Sequence, residues 1–307
     1  MLVVINLIRG VLIGVAEVIP GVSGGTIALI VGLYRKIIDA IADVVLAGRR
    51  LITGPRSEVG PLIRGLPWAM LIPVAIGMVT AVILGAQIIE PLLQTHPEQM
   101  RALFFGLVAA GIVVPLGILL RTPPGGFGWR DAILVVVATL AAALLTGLPP
   151  GDVTDPPLIA VFFAAAAAIC ALVLPGVSGS FLLLSLGLYE STIAAVNDRN
   201  FGYLAVFALG AIFGLAVFVS FLRWLLDHHA RITMAIIVGL MLGSLRALWP
   251  WQDDDRNLLA PTSDILSVVL LALAGVAVVA VLLWVERRLH LTEAEAEAEA
   301  EAADSAN

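Results

Sequence analysis

Charge is scarce in this chain. Only 13% of its 307 residues are charged, 60% are hydrophobic, and the mean hydropathy is +1.05. A soluble domain has about a quarter of its residues charged, so a water-covered globular surface is excluded. Much of the net charge of −6 sits in the Glu-Ala run from Glu293 onward. No basic patch is interleaved with aromatics, which argues against nucleic acid as a partner. Cysteine occurs once, at Cys170. That excludes an internal disulfide and a cysteine-based metal cluster, and the residue reads as a small buried apolar side chain. His96, His228, His229 and His290 fall in loops or at segment ends. None has metal-ligand or triad spacing, so no metal, cofactor or hydrolytic machinery is expected. The first apolar segment lacks a plausibly placed small-residue cleavage site and reads as mature structure, not as a signal peptide.

What is present is a series of apolar segments, each near the 20 or so residues that span a bilayer as a helix. The expected fold class is therefore all-α, a polytopic membrane protein. An arm at 2–18 is followed by Pro20-Gly21-Val22-Ser23-Gly24-Gly25, a second arm at 26–46 and a basic connector at 48–65. Spans are expected at 67–89, 100–120 and 131–148. The pattern then restarts: an arm at 158–174, Pro175-Gly176-Val177-Ser178-Gly179-Ser180, an arm to Val196, and spans at 202–225, 232–249 and 265–285.

An offset of 155 superposes the two Pro-Gly stretches, and nine of the fifteen positions from 20 to 34 are then identical, including Gly32-Leu33-Tyr34 on Gly187-Leu188-Tyr189. Beyond the arms an offset of 133 brings Gly77 onto Gly210 and Gly106-Leu107 onto Gly239-Leu240. This is the signature of an internal repeat. Placing basic loops inside puts Arg35, Lys36, Arg49, Arg50, Arg56, Arg64, Arg121, Arg130, Arg223, Arg231, Arg287 and Arg288 on the cytoplasmic side with both termini. Glu90, Asp152, Asp155 and Asp253 to Asp255 fall outside. The halves, 1–148 and 157–289, then have inverted topology, each a broken two-armed hairpin plus three transmembrane helices. Residues 290–307 read as a disordered acidic tail. Arms of 17–18 residues reach about 26 Å, short of a core of about 30 Å. Re-entrant hairpins are expected, with full crossing left open.

A backbone break in hydrocarbon survives only where protein buries it or where it lines a cavity. Matched breaks in two halves point to a transporter's binding site. A helix starting at each break would offer free N–H donors and a partial positive charge. Gly21, Gly24, Gly25, Gly176 and Gly179 permit close backbone approach, and Ser23, Thr26, Ser178 and Ser180 add hydroxyls. Such a site suits an anion, phosphate above all. The alternative is that Gly and Ser only permit tight helix contacts. Glu17, an intramembrane carboxylate opposite Leu172 in the second half, is a candidate proton or ion coupling residue. Equally, it caps backbone donors at the break. Arg9 is a candidate phosphate partner or a snorkelling side chain. Asp39 and Asp43 read as solvated, Tyr34 and Tyr189 as interface anchors, and Gly10 and Gly14 as a face open to a close helix neighbour.

Ala16-Glu17-Val18-Ile19-Pro20-Gly21-Val22-Ser23-Gly24-Gly25-Thr26, with Gly32-Leu33-Tyr34 and the second Pro175-Gly176-Val177-Ser178-Gly179, resembles the signature of the PopT-type polyprenyl-phosphate transporters, over about residues 1–290. The resemblance implies return of undecaprenyl phosphate across the bacterial cytoplasmic membrane for envelope synthesis, with the phosphate at the hairpin tips and the isoprenoid tail left in lipid. It implies no enzyme activity, with membrane lipids as surroundings and H+ or Na+ as the open choices of coupling ion. Ser180-Phe181 in place of Gly25-Thr26 suggests fewer ligand contacts at the second tip. Two rivals remain. Bacitracin-resistance-type undecaprenyl-pyrophosphate phosphatases carry Pro-Gly-x-Ser hairpins too, but follow the Ser with Arg where this chain has Gly24 and Gly179. A permease for a small soluble anion is the other.

Overall fold

Apolar segments in hydrocarbon must satisfy their backbone within themselves, and helices do so. The computed structural model describes residues 2–18, 22–148, 151, 153, 155–253, 255–262 and 264–305, with side chains except at 86, 89, 90, 93, 94, 286 and 289–305. Pro20 and Gly21 of the first break, and Asp152 and Asp254 of the acidic loops, lie outside the described residues.

The first half of the chain forms α1 (Leu2–Val18), α2 (Gly24–Ile30), α3 (Tyr34–Thr53), α4 (Val59–Arg64), α5 (Trp68–Thr95), α6 (Pro97–Gly111), α7 (Val113–Arg121) and α8 (Trp129–Thr146). The second forms α9 (Leu158–Val173), α10 (Gly179–Ser185), α11 (Tyr189–Asn197), α12 (Phe201–His228), α13 (Ala230–Ser244) and α14 (Ile265–Ser305). Five stretches are long and apolar enough to cross a membrane: Trp68–Gly85, Pro97–Arg121, Trp129–Thr146, Phe201–His228 and Ile265–Val285. This is a polytopic helical membrane protein.

Glycines set the helix pairing. α1 packs on α5 and α9 on α12. A Cβ at Gly10 would collide with the Val74 carbonyl, and one at Gly77 with the Leu7 carbonyl, so only glycine lets these backbones approach. The other pair repeats the contact, Gly210 lying against the Phe162 carbonyl. Leu7 and Phe162 are 155 residues apart, and Gly77 and Gly210 are 133 apart. The remaining pairs cross between the halves: α6 packs on α14, and α13 on α8.

Four expectations change. The arm expected over 26–46 is two helices, because α2 ends at a left-handed Gly32 (φ 69°). Leu33 N–H donates to Ala28 O at 2.8 Å and Gly32 N–H to Leu29 O at 3.2 Å, the pair of bonds of a Schellman cap. Gly187 (φ 74°) ends α10 the same way, with Leu188 N–H on Leu183 O and Gly187 N–H on Leu184 O. α10 and α11 consequently meet at 105°. The span expected over 232–249 stops at Ser244, giving α13 only 15 residues. The chain tightens there into turns such as Arg246 N–H on Gly243 O. The Gln252 side-chain amide takes the carbonyls of Arg246, Ala247 and Trp249 at 3.1, 3.1 and 2.6 Å, doing for them what a further helical turn would. Tyr34 is not an interface anchor: it is buried in the main core cluster, and its hydroxyl has no hydrogen-bond partner among the described residues.

α3 is amphipathic, burying Ile38, Ala40, Ala42 and Ala47, as helices lying at a membrane surface do. Asp39 and Asp43, expected to be solvated, are ion-paired. Arg35 reaches Asp39 at 3.0 Å and also Asp227. Arg223 reaches Asp43 at 2.6 Å and Asp39 at 3.4 Å. These contacts tie α3 to the end of α12, on the face where α1 begins. On the same face Arg231 binds Asp131 and donates to Thr122 O and Gly126 O. On the opposite face Arg101 donates to Pro250 O and Arg256 to Leu148 O.

Candidate functional site

The two breaks meet. Ser23 precedes α2 in an extended conformation, and its Oγ accepts from Gly25 N–H at 3.1 Å, an ordinary N-cap. The same hydroxyl is within donating distance of two carbonyls at the end of α9, Leu174 O at 3.0 Å and Leu172 O at 3.3 Å. Three residues on, Thr26 Oγ1 accepts the Gly176 N–H of the second break at 2.9 Å. Thr26 is 0% exposed and Ser23 2%, so both contacts are shielded from water. Residues about 150 positions apart are thereby joined by hydroxyl-to-backbone bonds across the centre of the molecule.

Small residues make the junction possible. A Cβ at Gly25 would fall 2.9 Å from Val173 O. Gly176 is left-handed (φ 85°), and its Cβ would fall 2.6 Å from Met241 N on α13. Gly179 lies against the Ala168 carbonyl, where a Cβ would fall 2.5 Å away. Gly24 faces Glu17: its N–H donates to the Glu17 carboxylate, and a Cβ there would collide with Oε1. Glu17 thus fills a backbone donor at the start of α2.

The second tip is bonded differently. Ser178 caps α10, accepting from Phe181 N–H at 3.4 Å, and its hydroxyl meets Ser180 Oγ at 3.1 Å. Among the described residues, neither serine's side chain bonds to the first half. The N–H groups of Gly179 and Ser180 belong to the first turn of α10, where helical N–H groups have no partner within the helix. Ser180 is partly exposed.

Arg9 stands apart from both tips, about 12 Å along α1 from Glu17 at 1.5 Å per residue. It bonds Asn6 Oδ1 at 3.4 Å and lines a cavity of about 730 Å³ with Asn6, Lys36, Asp39 and Asp43. A cavity of about 390 Å³ holds the matching place in the second half, with Ser191 where the first has Lys36, Asp198 where it has Asp43 and Tyr203 where it has Met70. Of the residues expected at the phosphate, Ser23, Gly25, Thr26 and Gly176 come together. Ser178, Gly179 and Ser180 form the adjoining tip, Arg9 is elsewhere, and Gly21 lies outside the described residues.

A polytopic helical bundle whose two broken hairpins are joined at their tips has the build of membrane transporters with discontinuous helices. The chain belongs to the undecaprenyl phosphate translocase-like family, whose model matches residues 13–265. It is 33% identical over 246 residues to a polyprenyl-phosphate transporter of Vibrio cholerae, covering 80% of this chain and 77% of that one. It is 28% identical over 260 residues to a polyprenyl-phosphate transporter of Staphylococcus aureus, covering 80% and 86%. No solved structure matches the chain significantly.

Proposed function

We propose that this protein carries undecaprenyl phosphate, or a close polyprenyl phosphate, between the leaflets of the bacterial cytoplasmic membrane, returning the carrier lipid for envelope synthesis. The observation that carries this reading is the junction of the breaks: Ser23 on Leu174 O and Thr26 on Gly176 N–H. A joint buried between two halves of inverted topology is where rocking of one half on the other would alternate access. The relatives are named as polyprenyl-phosphate transporters, and the paired tips give a phosphate headgroup somewhere to pass while its tail stays in lipid. The basic loops lie on the face where α1 begins, which supports a cytoplasmic position for that face and both termini.

Within the junction the roles divide. Ser23 and Thr26 hold the halves together. Ser178 and Ser180, bonded to each other, and the first-turn N–H groups of α10 are the donors that can turn to a phosphate oxygen. This reverses the ranking that Ser180-Phe181 suggested from sequence. Glu17 is the coupling candidate, since protonating it would weaken its hold on Gly24 N–H and loosen α2 from α1.

The test is flipping of undecaprenyl phosphate by the purified protein in proteoliposomes, followed as loss of surface-accessible lipid phosphate. Wild type should flip the lipid, and Ser178→Ala/Ser180→Ala should lower the rate at least tenfold. Release of inorganic phosphate from the pyrophosphate form, without flipping, would install the phosphatase reading in its place. Transport of free phosphate alone would install the permease.

A further inference from the structure

After α13 the chain folds into a tight shelf, residues 245–253 and 255–262, on the face away from the N-terminus. Gln252 pins it through three carbonyls. Leu259 N–H donates to Trp251 O at 2.8 Å, and Asp253 binds both the N–H and the side-chain amide of Asn257 at 2.7 and 2.9 Å. The shelf presents two arginines side by side. Arg246 Nη2 donates to the Arg256 carbonyl at 3.3 Å. Its guanidinium fills the space beside Gly147, where a Cβ would lie 2.8 Å from Nη2. Arg256 Nη1 donates to Leu148 O at 2.8 Å and meets Ser185 Oγ at 3.4 Å, with its guanidinium 4.0 Å over the Phe181 ring.

Neither guanidinium has a carboxylate partner among the described residues. Both are half-buried, and Arg246 Nη1 is buried with no acceptor. Burial, with the Arg246 charge beside it, holds Arg256 below its ordinary range. Contact with Leu148 O and the face of the Phe181 ring accounts for Arg256. It leaves Arg246 as an unanswered charge with an orphaned donor, which is costly unless a counter-charge arrives. Two planar forks and a serine hydroxyl suit a tetrahedral oxyanion with several acceptor oxygens.

We propose that Arg246 and Arg256, with Ser185, form a phosphate-monoester site at the mouth of the second hairpin. α10 runs from this site to Ser178 and Ser180, seven residues or about 10 Å away. A headgroup held here stands one short helix from the junction. Naming the anion as the headgroup of the carried lipid rests on the proposed transport function; the anion site itself does not.

The experiment is binding to the full chain in detergent, with farnesyl phosphate, inorganic phosphate and uncharged farnesol as probes, read by titration and by the shift in Tm. Farnesyl phosphate should bind and raise Tm, and farnesol should not. Arg246→Gln and Arg256→Gln should each weaken binding tenfold or more. Gly147→Ala, which displaces the Arg246 fork, should weaken it severalfold. Should Arg246→Gln fail to fold, Arg246→Lys keeps the charge, loses the fork, and should weaken binding threefold or more. Competition by inorganic phosphate would make the bare anion a ligand of the site, and lack of competition would make the lipid-borne headgroup its ligand. Wild-type affinity in both glutamine variants, or equal binding of farnesol, overturns the proposal. Flipping assays on the same samples separate the two ideas. Wild-type flipping and binding in the variants removes this site and leaves the transport reading, whereas arginine-dependent binding without any flipping removes the transport reading and leaves this site.

Discussion

The two breaks share Pro-Gly-Val-Ser-Gly, yet their hydroxyls go to different partners. At the first tip Ser23 and Thr26 bond across to Leu174 O and Gly176 N–H. At the second, Ser178 and Ser180 bond each other. The divergence starts where the copies differ in sequence, Gly25-Thr26 against Ser180-Phe181. Thr26 is fully buried against the other half, while Phe181 fills the same place with a ring that lies under Arg256. A duplicated motif therefore yields one tip that fastens and one that keeps its donors. On the proposed transport function, this asymmetry would let the second tip take a ligand while the first keeps the joint between the breaks.

The sharpest way to break that contrast is Thr26→Val, which keeps the shape and removes the acceptor. A buried Gly176 N–H is left unpaired, at about 1–3 kcal/mol. The variant should unfold earlier in thermal melts in detergent, and Ser23→Ala should lose about 1 kcal/mol as a missing cap. Ser178→Ala removes only a long cap bond and a partner for Ser180, so it should lose less than either. A Ser178→Ala melt as damaged as that of Thr26→Val would mean that both tips fasten alike.

Where the halves are built alike, they should respond alike. Gly32 and Gly187 both end a seven-residue helix in the left-handed region. Alanine there meets a penalty of about 1–2 kcal/mol. Gly32→Ala and Gly187→Ala should lower stability by similar amounts. A large difference between them would show that the repeat of Gly-Leu-Tyr is not a repeat of energetics.

Much of the fold could be read from the sequence because its signals are local. The breaks, the apolar lengths and the Gly10 and Gly77 faces are each visible within a few residues. The Schellman caps have a local signal too, a Gly-Leu eight residues after the glycine of each Ser-Gly, although hydropathy alone predicts one continuous arm over 26–46. The junction was not legible in the same way. Ser23 meets a carbonyl 151 residues on, and any hydroxyl near a break looks equally free from the sequence. Ion pairing of Asp39 and Asp43 with Arg223, 180 residues from Asp43, left no local trace either. Arg246 and Arg256 flank the aspartates 253–255 in sequence, which suggests ready counter-charges; the unpaired charges emerge only when Gly147 and Ser185 come alongside.

The smallest stability change, and the finest test of the asymmetry, is Glu17→Gln. Its second-half counterpart is Leu172, so whatever Glu17 does is done at one tip only. The carboxylate holds Gly24 N–H. An amide oxygen can hold the same donor, so Tm should move by no more than about 0.5 kcal/mol's worth, the scale of a change that leaves packing intact. The amide cannot change its charge. If Glu17 couples the first tip to a proton or cation, flipping by the variant should lose its dependence on pH or on the cation gradient while its fold persists. If Glu17 serves only as a cap for α2, the variant should flip lipid at the wild-type rate at every pH. A variant that unfolds would assign the carboxylate a structural role larger than one backbone hydrogen bond supplies, and the first tip would then be a fastening with no part in coupling.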